Sequence, residues 1–299
     1  MTKGAGVESY DARVITEGLA FGEGPRWHEG RLWFSDFYRH RISSIKPDGS
    51  DERAEVALDT QPSGLGWLPN GDLVVASQLD RSLVRVRDGA ASKLCDLSAH
   101  FGFWANDLVT SAKGVSYVGN FGFDLDLVMR DEGVEGLSVE RALTNVVVVS
   151  PEGEVLQVIP DFVFPNGSVI TPDEQTIIIA ETLAFRLSAF DIAPDGTLSN
   201  RRVWAQLDFV AIDGICLDAE GQIWVANALG TQCLRVKEGG EITASVNASQ
   251  NTYACMLGGD ARDQLFVMTA PTSSRFEIAD VRLGKIEVAS VAVPGAGRP

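Results

Sequence analysis

The chain repeats itself, and the repeat limits what it can fold into. Shifted by 107 residues, segment 106–120 (NDLVTSAKGVSYVGN) meets segment 213–227 (DGICLDAEGQIWVAN) without a gap. Both open on an amide or an acid and run through a short apolar strand. Both then make a polar turn that ends in Gly114 or Gly221 and enter a second apolar strand. The same outline recurs at 23–36, 63–77, 166–181 and 255–270, which makes six copies. Their starts, at 23, 63, 106, 166, 213 and 255, lie 40 to 60 residues apart. A period near 40 to 50 residues with two strands visible in each copy predicts a β-propeller, and six copies predict six blades.

Strand signals fill the pattern. Segments 31–35, 72–76, 222–226 and 264–268 are short, β-branched or aromatic, and bounded by turns. Further strands fit at 42–46, 83–87, 145–150, 187–191 and 233–237. Helical periodicity is hard to find over ten residues, which disfavours folds that need helices between strands. The fold class read from these signals is all-β, a six-bladed β-propeller forming a single domain over 1–299. Segments 10–19 and 285–293 also read as strands, so the two chain ends are expected to share one blade and close the ring. The long interval before Asn166 holds an insertion, about 121–144. It is a surface excursion or a flap over a pocket; its aromatic residues and its start directly after a core strand favour the flap.

Composition narrows the function. The formal net charge is −16, an acidic surface that repels phosphate backbones, so no nucleic-acid partner is expected. No run of 18 apolar residues and no basic-then-apolar leader is present, which predicts a soluble cytoplasmic chain with no membrane partner. The four cysteines form no CxxC pair and are expected to be reduced, with Cys216 a small core residue. A homo-oligomer is left open.

In a propeller, equivalent positions of successive blades ring the central channel. The first residues of the six copies are Glu23, Ser63, Asn106, Asn166, Asp213 and Cys255, and five of them carry oxygen. No Lys or Arg accompanies them. Carboxylates and amides gathered without a counter-charge are costly to desolvate, and a hard divalent cation resolves that cost. The structural alternative is that these residues cap strands and turns. No GxSxG elbow or HExxH motif occurs, and the three histidines (His28, His40, His100) read as structural.

Five motifs in this order are specific together: GluGlyProArgTrp (23–27) with LeuTrpPheSerAsp (32–36), AsnAsp (106–107), ProAsnGly (165–167), AspGly (213–214) and GlyGly (258–259). They resemble the senescence marker protein/gluconolactonase/luciferin-regenerating enzyme family over nearly the whole chain. The resemblance implies a six-bladed propeller that hydrolyses lactones with one divalent cation. It implies that Glu23, Asn166 and Asp213 ligate that cation, that Asn106 sits beside it, and that Asp213 is also the general base. Oxygen ligands favour Ca²⁺, while Zn²⁺, Mn²⁺ and Mg²⁺ also accept such sites.

One position departs from the pattern. Sugar-lactone members tend to carry Arg two residues before the Asn of the second of these motifs, where this chain has Trp104. An indole offers one donor and a broad apolar face, so the expected substrate is an apolar or aromatic lactone rather than a sugar lactone. Asn106, Trp104 and Phe121 are the candidate substrate contacts, with Phe101, Phe103 and Phe123 available to extend an apolar wall. Two rival readings remain: an aryl-ester or phosphotriester hydrolase using the same site, or a non-enzymatic calcium-stabilised binding propeller.

Overall fold

The computed structural model describes residues 7–297. Each repeat copy folds into a hairpin, and the glycines that end the repeat's turn explain why the hairpins can close. Gly114 and Gly221 have φ of 84° and 75°, a left-handed geometry that a side chain would strain. The first strand of each hairpin lies innermost: Gly22–His28, Pro62–Trp67, Ala105–Thr110, Pro165–Ile170, Ile212–Leu217 and Asn251–Gly258. Each inner strand touches the next, and the sixth touches the first. Three further strands extend each sheet outward, mostly as an antiparallel meander, and the result is a six-bladed β-propeller.

Between neighbouring blades lies a continuous apolar layer. Second strands such as Leu73–Ser77 and Ser116–Asn120 are buried along their whole length, because a sheet covers each face. This is why a stretch such as 73–76 (LVVA) reads in the sequence as an apolar run rather than an alternating one. Crowding is greatest at the axis. A Cβ on Gly64 would lie 2.2 Å from the Leu108 backbone nitrogen in the next blade.

Ring closure follows the expected route and adds one feature. Strand Arg13–Leu19 pairs antiparallel with Gly284–Ser290 and becomes the outermost strand of the sixth blade. The preceding strand, Glu8–Asp11, pairs in parallel with Ile242–Asn247 and gives the fifth blade a fifth strand. The single strand expected over 10–19 therefore breaks near Ala12, and its two halves staple the last two blades together.

The insertion after Asn120 forms a helix Leu125–Asp131, a 3₁₀ turn Gly133–Gly136 and a short helix Val139–Ala142. Asp124 caps the first helix by accepting from the Leu127 N–H at 3.0 Å. Among the described residues no helix is long and apolar enough to cross a membrane. All four cysteines are unpaired and buried.

Candidate active site

All six inner strands run away from the same face, so their first residues meet at one end of the axis. Glu23, Asn106, Asn166 and Asp213 line a single cavity of about 110 Å³ there. Trp104 and Phe121 line it too, so the structure gathers the expected ligands, Asn106 and the two aromatic substrate contacts into one pocket. Ser63 and Cys255 do not line it. In the sixth blade the axial place falls two residues earlier than the sequence reading put it: Tyr253 lines the pocket, while Cys255 packs 3.8 Å from Cys216 in the core. None of the three histidines lines the cavity, and His28 instead stacks on Trp67 at 4.0 Å.

The walls are aromatic on both sides. Phe21 meets Tyr253 edge-on at 4.8 Å and Phe37 at 5.3 Å. Facing them, Phe103 stacks on Trp104 at 4.7 Å, and Phe121 meets Phe164 at 5.2 Å. Of the other candidate wall residues, Phe101 is buried between blades and Phe123 packs against Phe164.

The polar floor is oriented by the strands beneath it. The amide of Asn106 donates to the Pro165 carbonyl at 3.3 Å. Asn166 donates to Thr182 Oγ1 at 3.1 Å, and Thr182 in turn donates to the Ile212 carbonyl at 2.6 Å. The Asn166 amide also lies near enough to Asp213 to favour that carboxyl's charged form. With its NH₂ directed at Thr182, Asn166 has Oδ1 to offer to the cavity.

Three carboxyl groups gather here. Burial pushes Asp213 up to about 8, with the nearby Asp107 adding to the rise and Asn166 opposing it. Burial also raises Glu23 well above the ordinary carboxylate range, and the charge of Asp213 adds to that. Asp107 is answered by Arg26, whose Nη2 lies 3.3 Å from Oδ1. Glu23 and Asp213 thus share a deficit of positive charge, the condition a divalent cation relieves. Among the described residues no group of three His, Cys, Asp or Glu side chains is arranged to hold a metal ion. A cation here would therefore rely on two carboxylates together with amide oxygen.

Thr182, Tyr253 and Arg275 escaped the sequence reading, as did Asp124 and Asp126 individually, although the insertion that carries those two reads as a surface excursion or a flap over a pocket. Thr182 follows the last residue of its repeat copy, and Arg275 lies in an excursion outside all six copies, so no repeat position marks them.

A family model described as SMP-30/Gluconolactonase/LRE-like region matches residues 21–271. This chain belongs to that family. Among family relatives, regucalcin of Xenopus laevis is 25% identical over 264 residues, covering 86% of this chain and 85% of its own. A solved regucalcin from Agrobacterium tumefaciens, described as a calcium-binding protein, superposes with a TM-score of 0.79 at 20% identity, covering 99% of this chain and 98% of that one. A gluconolactonase from Xanthomonas campestris superposes with a TM-score of 0.72 at 22% identity, covering 95% and 90%. Family membership supports a lactonase-type hydrolase at a general level.

Proposed function

We propose that this protein is a divalent-cation-dependent lactonase that opens a compact apolar or aromatic lactone. The observation that carries the reading is a floor of two carboxylates and two amides set between two aromatic walls. Glu23, Asp213 and Asn166 Oδ1 would hold the cation, with Ca²⁺ first among the candidates. When bound, the cation supplies positive charge that polarises the lactone carbonyl and lowers the pKa of water. The relative described as calcium-binding supports that choice of ion.

The remaining steps fall to the chain's own residues. Trp104 and Phe121 sandwich the flat part of the substrate against Phe21 and Phe37. Asn106 holds the carbonyl or ring oxygen. An Asp213 carboxylate oxygen takes a proton from the attacking water as its oxygen bonds to the carbonyl carbon. Collapse of the tetrahedral intermediate breaks the bond to the ring oxygen. That oxygen leaves, recovers the proton, and the product is a hydroxy acid. Among the described residues the lining includes no His or Lys to serve as a strong general acid. A phenolic ring oxygen, with a pKa near ~10, leaves without one, which favours an aryl lactone over a sugar lactone.

The test is hydrolysis of dihydrocoumarin beside gluconolactone, on chelator-stripped protein with Ca²⁺, Zn²⁺, Mn²⁺ or nothing restored. One cation restoring turnover, with the aryl lactone preferred, is the expected result. Asp213→Asn is expected to lower kcat by about 10³-fold. Full activity in that variant, or no turnover with any cation, overturns the reading.

A further inference from the structure

The pocket has a roof that neither the repeat nor the floor chemistry requires. It is built from two segments on opposite sides of the ring. One is the insertion of the third blade. The other is the excursion between strands Gln264–Ala270 and Gly284–Ser290 of the sixth blade, which carries the short helix Arg275–Ile278. In a ring of six, these two blades face each other across the axis. The segments meet in an ion-pair clasp. Arg275 Nη1 and Nη2 lie 2.6 and 2.8 Å from Asp124 Oδ1 and Oδ2, a two-pronged pairing. Asp126 Oδ2 accepts from Arg275 Nη1 at 3.3 Å and from its backbone N–H at 3.2 Å.

The clasp is built into the pocket rather than set on the surface. Arg275, Asp124 and Asp126 all line the cavity, with side chains between 15% and 22% exposed. The Arg275 guanidinium lies 5.1 Å from the Trp104 ring centre, which anchors it to the aromatic wall. Behind it, Tyr38 Oη donates to the Ser273 carbonyl at 3.2 Å and ties the excursion to the first blade. On the other side, the Phe121 N–H donates to the Trp104 carbonyl at 3.0 Å and fixes the root of the insertion. Under this roof the cavity measures about 110 Å³. A cavity of ~150 Å³ holds a single benzene, so this space is already tight around one ring and excludes large substituents.

We infer that Arg275 is a specificity-determining residue: clasped by Asp124 and Asp126 over Trp104, it closes the roof and caps the size of the lactone the pocket accepts. The inference rests on the lactonase reading for the identity of the ligand. Arg275 itself positions the roof and takes no part in bond making.

The test compares dihydrocoumarin with its 4-phenyl derivative, and in parallel the binding of the two corresponding lactams, which resist hydrolysis. Wild type is expected to favour the small member of each pair. Arg275→Met and Asp124→Asn are expected to raise the large-to-small ratio about tenfold, through KM in the kinetics and through Kd in calorimetry. The double exchange Asp124→Arg with Arg275→Asp, which restores an ion pair, is expected to recover part of the discrimination. Amide exchange over 121–142 is expected to quicken in the single variants and not in the blade strands. An unchanged ratio in both single variants overturns the inference, as does a wild type that binds both lactams equally or neither. Lactam discrimination that vanishes in the variants, in a protein that hydrolyses no lactone, upholds the clasp and rejects the lactonase reading instead.

Discussion

Thr182 is the residue through which the floor of the pocket is tuned. It is buried, accepts from Asn166 and donates to Ile212, so it fixes the amide of one proposed ligand and ties it to the strand that carries another. Outer partners of this kind commonly change metal affinity by about 10–100-fold. Thr182→Val keeps the shape and removes the hydroxyl. It is expected to weaken cation affinity at least about tenfold by calorimetry while thermal stability without the cation changes little. An affinity within twofold of wild type would show that the Asn166 amide needs no such partner. The axial residues themselves were legible in the sequence because Glu23, Asn106, Asn166 and Asp213 hold the same place in their copies. Thr182 was not, because its role exists only once the fourth and fifth blades lie side by side.

At the scale of elements, the last residue of the second strand fastens the linker that enters its own blade. Asp36 accepts from the N–H groups of Ala20 and Phe21, Glu181 from Val163, and Asn227 from Ala211. These three linkers lead into the inner strands that open on Glu23, Asn166 and Asp213, so the proposed ligands stand at the ends of tethered chains. Glu181 is the most heavily bonded of the three. It is fully buried and accepts from Arg186 at 2.9 Å, Arg201 at 2.8 Å and Ser188 Oγ. Burial alone would raise its pKa, yet these hydrogen bonds outweigh burial and hold it below the ordinary range. Glu181→Gln leaves two half-buried guanidinium groups facing a neutral amide. It is expected to cost about 3 kcal/mol in urea unfolding, and a loss under about 0.5 kcal/mol would mean that solvent compensates the arginines. The repeat copies do end on Asp36, Glu181 and Asn227, so the positions were visible in sequence while their partners were not.

For the whole molecule, the ring concentrates negative charge at its axis, and that makes stability depend on pH in a direction the cation reverses. Glu23 and Asp213 have folded-state pKa values above their unfolded ones, Asp213 at about 8. A carboxyl of this kind binds its proton more tightly in the native state. Its contribution to stability is complete below the unfolded pKa near ~4 and is lost as pH rises through about 8. Chelator-treated protein is therefore expected to melt at a lower temperature at pH 8.5 than at pH 5.5. Millimolar Ca²⁺ favours the ionised carboxylates and is expected to abolish or invert that difference. Superimposable profiles of Tm against pH with and without Ca²⁺ would remove the axial cation from the account.

The propeller, its six blades and the axial quartet were legible in the amino-acid sequence. Those properties are periodic, and a period survives in one dimension. The sequence also indicated that the chain ends would close the ring, because 10–19 and 285–293 read as strands with no hairpin partner of their own. The tertiary structure alone decided that Tyr253 rather than Cys255 faces the pocket: every inner strand bulges just past its first residues, and the bulge after Thr252 puts Tyr253 in the place that Asn106, Asn166 and Asp213 hold, two residues before the copy start read from the sequence. It alone decided that Glu8–Asp11 would join a different blade from Arg13–Leu19. It alone brought Arg275 onto Asp124 and Asp126, residues about 150 positions apart whose meeting depends on two blades standing opposite each other across a closed ring.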